Sequence, residues 1–246
     1  MTDVNDPEGL GRVRVNFPWL SADNVSQWAP VATLMAGSER GSWFVPEVGD
    51  EALVSFEHGD PNHPYVVGYV WNGQSKPPNS DIDTKVRRLK TVSGHILEFD
   101  DRPGKERVYL KTQGEHLIEL NDRQGEEGIT IKTKGEQKIE LKDSPTGSIN
   151  IETKSGQKVT IDDAAQSITL KTTMNSVTMD ASGVTISAAS GVLNITCLQA
   201  NVTASSMLSV TAPFATFSGV VQVTTLLASA VVSSAYTPAP GNTFGL

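Results

Sequence analysis

The chain has 246 residues, a formal net charge of −8 and a pI near 5.0. This length allows one or two domains, and an acidic chain whose densest basic run is 85–88 is not expected to bind nucleic acid. The single cysteine excludes a disulfide framework and a cysteine metal site within one chain.

Residues 1–10 form an acidic N-terminal tail that lacks the basic and apolar regions of a secretory signal. No uninterrupted apolar run approaches the roughly 20 residues that cross a bilayer. We therefore expect a soluble protein that is assembled in the cytoplasm.

Residues 11–73 contain short alternating runs punctuated by Gly and Pro, which predict strands and tight turns. Strands are expected over 12–17, 29–35, 51–56 and 65–70. About five short strands in this length are typical of a small barrel of the OB type.

Residues 74–89 are polar and include Pro77-Pro78, so they are interpreted as a stiff, extended linker at a domain boundary. The basic run 85–88 is included in this solvated segment.

Residues 90–180 repeat themselves with a period of about 20 residues, which indicates stacked structural units. A glycine marks each unit, at Gly94, Gly114, Gly135 and Gly156. Two strands per unit are predicted, with Ile, Val and Leu on one face and Lys, Glu, Thr and Asn on the other. The glycines predict turns that need a positive φ or a close backbone approach.

Residues 181–246 contain no Asp, Glu, Lys, Arg or His, although the alternation of apolar and polar residues continues. A monomer with such uncharged strand edges is expected to self-associate. One repeat cannot bury its own apolar face, so burial must come from stacked neighbours in the chain, from other chains, or from both.

Several N-terminal motifs occur in a fixed order. They are Gly11-Arg12-Val13-Arg14-Val15-Asn16-Phe17-Pro18-Trp19-Leu20, Trp28-Ala29-Pro30, Gly41-Ser42-Trp43-Phe44-Val45-Pro46-Glu47-Val48-Gly49-Asp50, Phe56-Glu57-His58-Gly59-Asp60 and Pro64-Tyr65-Val66-Val67-Gly68-Tyr69-Val70-Trp71-Asn72-Gly73. Together they resemble the OB-fold module of phage baseplate assembly protein V and VgrG-type spikes. The repeats that follow are similar to the triple-stranded β-helix of that family.

The resemblance implies an all-β homotrimer, with an OB-fold barrel as a collar and an intertwined trimeric β-helix, or β-prism, as a needle. Residues 90–180 would form its charged repeats, and residues 181–246 its uncharged tip region and C-terminal cap. Such a chain would be the membrane-puncturing central spike of a phage-tail-like contractile injection particle, at the centre of the baseplate. It would join the hub and inner tube to a tip protein or cargo and contact the target envelope transiently.

Three departures from the family refine these expectations. The OB motifs begin at Gly11, so a separate hub protein is implied, and the linker is too short for the lysozyme domain that some spikes carry. No His-x-His iron-binding apex is present, because every histidine precedes residue 117. A PAAR-type tip protein or an effector is therefore expected at the C-terminal end, with Pro240, Phe244 and Leu246 as docking candidates.

No catalytic, cofactor-binding or metal-binding residue is nominated. His58, Asp60 and His63 are common metal-ligand types, but the glycine and prolines around them favour a hydrogen-bonded loop. The pairs Asp100-Asp101 and Asp162-Asp163 follow strands and are interpreted as Asx turns.

Two alternative functions remain open. A carbohydrate- or envelope-binding tailspike would display outward-facing aromatic residues, yet residues 80–246 contain no Trp. A polysaccharide-degrading enzyme on a single-chain β-helix would need acidic and basic residues clustered on one rung, which the late repeats do not offer.

Overall fold

The computed structural model describes residues 1–20, 24–78, 83–189 and 191–232. Over these residues the regular structure is β, apart from one 3-10 turn at Glu57–Gly59, so the predicted all-β class is confirmed. The same ranges contain no helix that is long and apolar enough to cross a membrane.

The N-terminal module has its own small core, formed by Val13, Val15, Phe17, Ala29 and Val66. The module contains four strands: β1 (Ala36–Gly37), β2 (Arg40–Gly41), β3 (Ala52–Phe56) and β4 (Pro64–Tyr69). β1 pairs with β2, and β3 pairs with β4, both antiparallel. The expected strands over 51–56 and 65–70 are therefore present as one hairpin.

The expected strands over 12–17 and 29–35 are reduced to isolated bridges. Val13 bridges Ala29, and Val31 bridges Val66. Proline supplies no N–H to a ladder, so Pro18 and Pro30 interrupt the pairing in this part of the module.

From residue 86 onward the chain forms one antiparallel sheet of eleven strands, each hydrogen-bonded to the next in sequence. The strands are β5 (Val86–Lys90), β6 (Ile96–Asp100), β7 (Arg107–Lys111), β8 (Leu117–Asn121), β9 (Gly128–Lys132), β10 (Lys138–Lys142), β11 (Ser148–Glu152), β12 (Lys158–Asp162), β13 (Ser167–Lys171), β14 (Asn175–Asp180) and β15 (Gly183–Ala188). At about 4.8 Å per spacing, ten spacings give a sheet about 48 Å long.

The assignment of residues 86–89 to the linker is wrong, because they belong to β5. Leu89 lies opposite Leu97, and Arg88 lies opposite Glu98, to which it is ion-paired. The basic run thus continues the alternation of the repeats. Its arginines, which suggested a solvated segment, form ion pairs with Asp101 and Glu98.

The register gives the sheet one apolar face and one polar face. On β10, Ile139 lies between Ile131 and Ile151 of the neighbouring strands, whereas Glu140 lies between Thr130 and Asn150. Because successive side chains alternate across a strand, the same division holds along the sheet, as predicted.

One edge of the sheet is formed by turns that begin with threonine, and we call it the threonine edge. Thr91, Thr112, Thr133 and Thr153 each accept a hydrogen bond at Oγ1 from the N–H of the residue four positions on, at 3.0–3.2 Å. Each threonine carbonyl also accepts from the third residue on, at 2.9 Å. These are three-residue hairpin loops with a left-handed residue at the end.

The left-handed position explains only part of the glycine pattern. Gly94 and Gly156 occupy it, with φ of +92° and +84°, but Glu115 and Glu136 occupy it in the other two turns, each at +67°. Gly114 and Gly135 lie one residue earlier. The repeating unit is therefore set by threonine, and the glycine drifts by one position within it.

The opposite edge, which we call the aspartate edge, is formed by turns that have an Asp or Asn at the end of the preceding strand or directly after it. Asp100 accepts from the N–H of Arg102, and Asp162 accepts from the N–H of Ala165. The predicted Asx turn is thus confirmed at Asp100, whereas the Asp162 side chain accepts from the third residue on and closes a wider turn.

Contacts separate the chain into a unit of residues 1–193 and a unit that begins at Asn194. In the second unit the described residues 194–232 are exposed and form no strand. The continued β-structure expected there is absent from the single chain. A strand exists only where another strand completes its hydrogen bonds, and the described residues place none beside this segment.

Prediction for the turns: Glu136→Gly should raise the free energy of unfolding by roughly 0.5–1 kcal/mol. A left-handed conformation costs a non-glycine residue about 1–2 kcal/mol, and glycine removes this strain. Part of the gain is offset because glycine loses more conformational entropy on folding. Gly156→Ala should lower it by about 1 kcal/mol, since its added Cβ meets no atom within 4 Å and only the φ is strained.

Denaturant unfolding at one fixed protein concentration measures both changes. A loss of stability in Glu136→Gly comparable to that in Gly156→Ala would contradict the assignment of the left-handed position.

Candidate interaction surface

The apolar face of the sheet is the largest unpartnered surface in unit 1. Every strand from β6 to β15 contributes two apolar residues to it: Leu97 and Phe99, Val108 and Leu110, Ile118 and Leu120, Ile129 and Ile131, Ile139 and Leu141, Ile149 and Ile151, Val159 and Ile161, Ile168 and Leu170, Val177 and Met179, and Val184 and Ile186. From β8 to β11 these residues are 38–46% exposed.

This exposure follows from the architecture. A sheet that is hydrophobic on one face must bury that face against a second layer, and the described chain places no second layer on it. A contiguous apolar surface beyond a few hundred Å² marks an interaction site on a folded protein. The apolar face thus has the character of a protein interior that lacks its other half.

A trough of about 480 Å³ lies on this face at the C-terminal end of the sheet. Its lining includes Val159, Leu170, Val177 and Ile186 from the strands and Leu193 from the segment that follows them. The apolar face therefore offers a concave seat as well as a flat strip.

The polar face is held by ion pairs that cross from strand to strand. Glu98 is nearly fully buried and pairs with both Arg88 and Arg107, the latter at 3.3 Å. Glu119 pairs with Arg107 at 3.8 Å and with Arg123 at 3.0 Å. The charged side chains of this face thus pair with one another, so the polar face needs no second chain to neutralise them.

Asp100 anchors the end of this cluster. It is 2% exposed and accepts two hydrogen bonds from Arg102, at 2.8 Å from Nε and 2.5 Å from Nη2. The Arg102 guanidinium lowers the pKa of Asp100 to about 2. The carboxylate is therefore ionised and paired throughout the neutral range.

The N-terminal module carries a second exposed apolar surface, which we call the hairpin patch. It comprises Leu34, Met35, Trp43 and Phe44, which flank β1 and β2 and line a cleft of about 1060 Å³. Leu34 is 97% exposed and Trp43 is 73% exposed. Gly11, at φ +71°, allows the Trp43 ring to approach so closely that a Cβ would meet it at 2.7 Å.

The predicted hydrogen-bonded loop at His58, Asp60 and His63 is present. Asp60 accepts from the N–H of Asn62 at 2.9 Å and lies 3.1 Å from Nδ1 of His63. These contacts, the Asn62 N–H foremost, lower the pKa of Asp60. Within the described ranges no group of three or more His, Cys, Asp or Glu residues is arranged to hold a metal ion.

The proposed tip-docking residues Pro240, Phe244 and Leu246 lie outside the described residues. The repeat glycines all lie in turns of the threonine edge. The threonines that close these turns were not singled out from the sequence, although each of them follows the second strand of its repeat and recurs every 19–21 residues.

Two family models match the chain. Residues 1–71 match the type VI secretion system/phage-baseplate injector OB domain, and residues 148–207 match the phage baseplate V C-terminal trimerisation domain. The resemblance to baseplate assembly protein V and VgrG-type spikes is thus confirmed, and so is the OB assignment of the N-terminal module. The assignment of residues 1–10 to a separate tail is wrong, because they fall within the matched OB domain, and Met1 and Val4 pack against its core.

Curated relatives agree with these matches over about two fifths of the chain. The type VI secretion system spike protein VgrG3 of Vibrio cholerae is 34% identical over 113 residues, 42% of this chain and 11% of the relative. The actin cross-linking toxin VgrG1 of the same species is 32% identical over 110 residues, 41% of this chain and 10% of the relative. The spike protein VgrG1a of Pseudomonas aeruginosa is 31% identical over 113 residues, 41% of this chain and 18% of the relative. The chain spans less than a fifth of the length of these relatives.

Prediction for the polar face: Asp100→Asn should lower the free energy of unfolding at pH 7 by roughly 1–2 kcal/mol, because it removes a charge-assisted pair. The pKa of Asp100 in the folded state, about 2, lies below the ordinary value of 3.8 because of the Arg102 guanidinium. The stabilisation is therefore present above pH 4 and is lost as the pH falls towards 2.

Unfolding of the wild type and the variant at pH 7, 4 and 2 measures this dependence. Asp101→Asn is the matched control, since Asp101 and its partner Arg87 are both about two thirds exposed and such pairs contribute little. Equal losses for the two variants at pH 7, or a loss at pH 2 as large as at pH 7, would refute the assignment.

Proposed function

We propose that this chain is the central spike of a phage-tail-like contractile injection particle, a structural protein that punctures a target envelope. Three copies would place their apolar faces around one axis and enclose the interior that none of them forms alone. The observation that carries this proposal is the unpartnered apolar face of the sheet, and the match of 148–207 to a trimerisation domain supports it.

The N-terminal module would act as a collar that joins the needle to the hub and inner tube. The hairpin patch supports this role, because exposed aromatic residues around a cleft are typical of the centre of a protein interface. The C-terminal end, with Pro240, Phe244 and Leu246, would seat a PAAR-type tip protein or an effector. The particle places the spike at the baseplate centre, and it meets the envelope only during contraction.

A non-enzymatic role is part of this proposal. The relative named as an actin cross-linking toxin is matched over a tenth of its length, so its activity is not carried over. A single-chain β-helix enzyme coils around an interior of its own, whereas the described sheet is one layer thick with an open apolar face. No specific observation on the described residues favours the alternative of a carbohydrate- or envelope-binding tailspike.

Prediction for the assembly: the wild-type chain should have a mass of about 79 kDa in solution, three times its 26.3 kDa. Ile131→Glu should abolish the trimer at micromolar concentration, because three carboxylates would enter an apolar interior without partners. Thr169→Glu is the matched control, since Thr169 lies on the polar face of β13 between the uncharged Thr160 and Thr178.

Sedimentation of the three proteins measures the masses. A wild-type chain that is monomeric and fully folded, or an Ile131→Glu chain that remains trimeric, would overturn the proposed spike.

Prediction for the tip: deletion of residues 233–246 should leave a trimer that assembles into particles without a tip protein. Quantification of the tip protein in purified particles tests this, with the double variant Phe244→Ala and Leu246→Ala as a milder form of the same change. Normal tip occupancy in the truncated particles would place the docking site elsewhere.

A further inference from the structure

The two edges of the sheet carry opposite charge. The threonine edge, taken as its turns and the strand residues that flank them, has eight lysines and three glutamates, a net charge of +5. The lysines are Lys90, Lys111, Lys132, Lys134, Lys138, Lys154, Lys158 and Lys171, and the glutamates are Glu115, Glu136 and Glu152.

The aspartate edge, defined in the same way and including residues 83–86, has eleven carboxylates and six basic residues, a net charge of −5. The carboxylates are Asp83, Asp100, Asp101, Glu106, Asp122, Glu126, Glu127, Asp143, Asp162, Asp163 and Asp180, and the basic residues are Lys85, Arg102, Lys105, Arg107, Arg123 and Lys142. The charge of the repeats is thus separated across the width of the sheet.

On the threonine edge, like charges lie directly opposite one another. Lys132 pairs in register with Lys138, and Lys158 pairs with Lys171, while Glu152 lies between Lys138 and Lys158. Like charges in directly opposed positions destabilise a sheet. Among the described residues, Lys132, Lys158 and Lys171 have no carboxylate within 4.0 Å.

The aspartate edge holds carboxylates that lack a basic partner within the described ranges. Asp122, Asp143 and Asp163 are exposed, follow the ends of β8, β10 and β12, and have no basic group within 4.0 Å in the described part of the chain. Their N–H groups donate to the carbonyls of Glu106, Glu127 and Gly147, the residues just before β7, β9 and β11, so their positions along the edge are fixed. Each edge therefore holds charges that the chain itself leaves unmatched.

The shape of the apolar face determines which edges meet in an assembly. The sheet is about 48 Å long across its strands and about 16 Å wide along them, since each strand has about five residues. The apolar face is therefore buried along its whole length only if the copies lie side by side. Copies related by rotation about an axis along the sheet bring one edge of each copy to the opposite edge of the next. A copy packed upside down, about an axis along the strands, brings like edges together.

We infer that the threonine edge of each copy docks against the aspartate edge of the next copy, and that this charge pairing forces all three copies to point the same way. The inference rests on the proposed trimer. Unlike edges place +5 against −5 at each of the three corners, whereas an inverted copy places like charges together. Charge complementarity of this kind selects the arrangement and rejects the alternative.

A charge-swap cycle on the full chain tests this pairing. Lys132→Glu with Lys158→Glu should raise the rate of trimer dissociation at low salt by about tenfold or more, since like charges would face each other at three corners. Asp143→Lys with Asp163→Lys should do the same. The chain that carries all four changes should return to within about threefold of the wild-type rate, because the pairs are restored with reversed sign.

Lys85→Glu with Lys105→Glu is the matched control, because it makes the same change in net charge on the aspartate edge at lysines that, like Lys132 and Lys158, have no carboxylate within 4.0 Å among the described residues. It should alter the dissociation rate much less than the change on the threonine edge. The edge pairing would be overturned if the quadruple variant dissociated as fast as either double variant. It would also be overturned if the control raised the dissociation rate as much as the lysine double variant does.

Zero-length carbodiimide coupling of a mixture of isotope-labelled and unlabelled wild-type chains gives an independent measurement. Links between labelled and unlabelled peptides should join lysines of the threonine edge to carboxylates of the aspartate edge. Links between copies that join the threonine edges to each other would overturn the inference. A wild-type trimer with such links refutes the edge pairing alone, whereas a monomeric wild type refutes the proposed spike itself.

Discussion

The structure depends on a one-layer sheet whose apolar face is left uncovered by the described residues. The N-terminal module closes a core around Val13, Phe17 and Val66, so it meets the ordinary requirement of a folded domain. The sheet pairs its neighbouring strands within one chain but leaves two apolar side chains on each strand from β6 to β15 exposed to water. Local pairing and global burial are thus separated, and the second requires other copies.

This separation explains the different chemistry of the two faces and the two edges. Side chains on the polar face, such as Glu98 with Arg88 and Arg107, pair within the chain and keep that face independent of partners. Unmatched charges collect at the edges, where copies would meet. Since every strand pairs with its neighbour in sequence, each hairpin closes over a short loop, which lowers the entropic cost of forming the sheet before association.

Much of this organisation follows from the sequence, because alternation and a 20-residue period determine strands, faces and turns together. The exceptions have physical causes. The glycines do not mark the same position in every turn, because Glu115 and Glu136 occupy the left-handed position in two of them. The residue that recurs at one position is the threonine that closes the turn. Residues 86–89 looked solvated because the partner of Arg88 lies ten residues away. The edge charges become visible only when the register shows which residues share an edge.

The direction of the hydrogen bonds suits a needle that is driven forward. In an antiparallel ladder the bonds run perpendicular to the strands, so in this sheet they run along its long axis. A load applied at the tip of a trimer would press successive strands together, whereas a pulling load would separate them. Bending would be resisted by three sheets held at their corners, and the pairing of unlike edges would keep those corners from sliding apart. The same charges that orient the copies would therefore also stiffen the needle against the forces it meets in use.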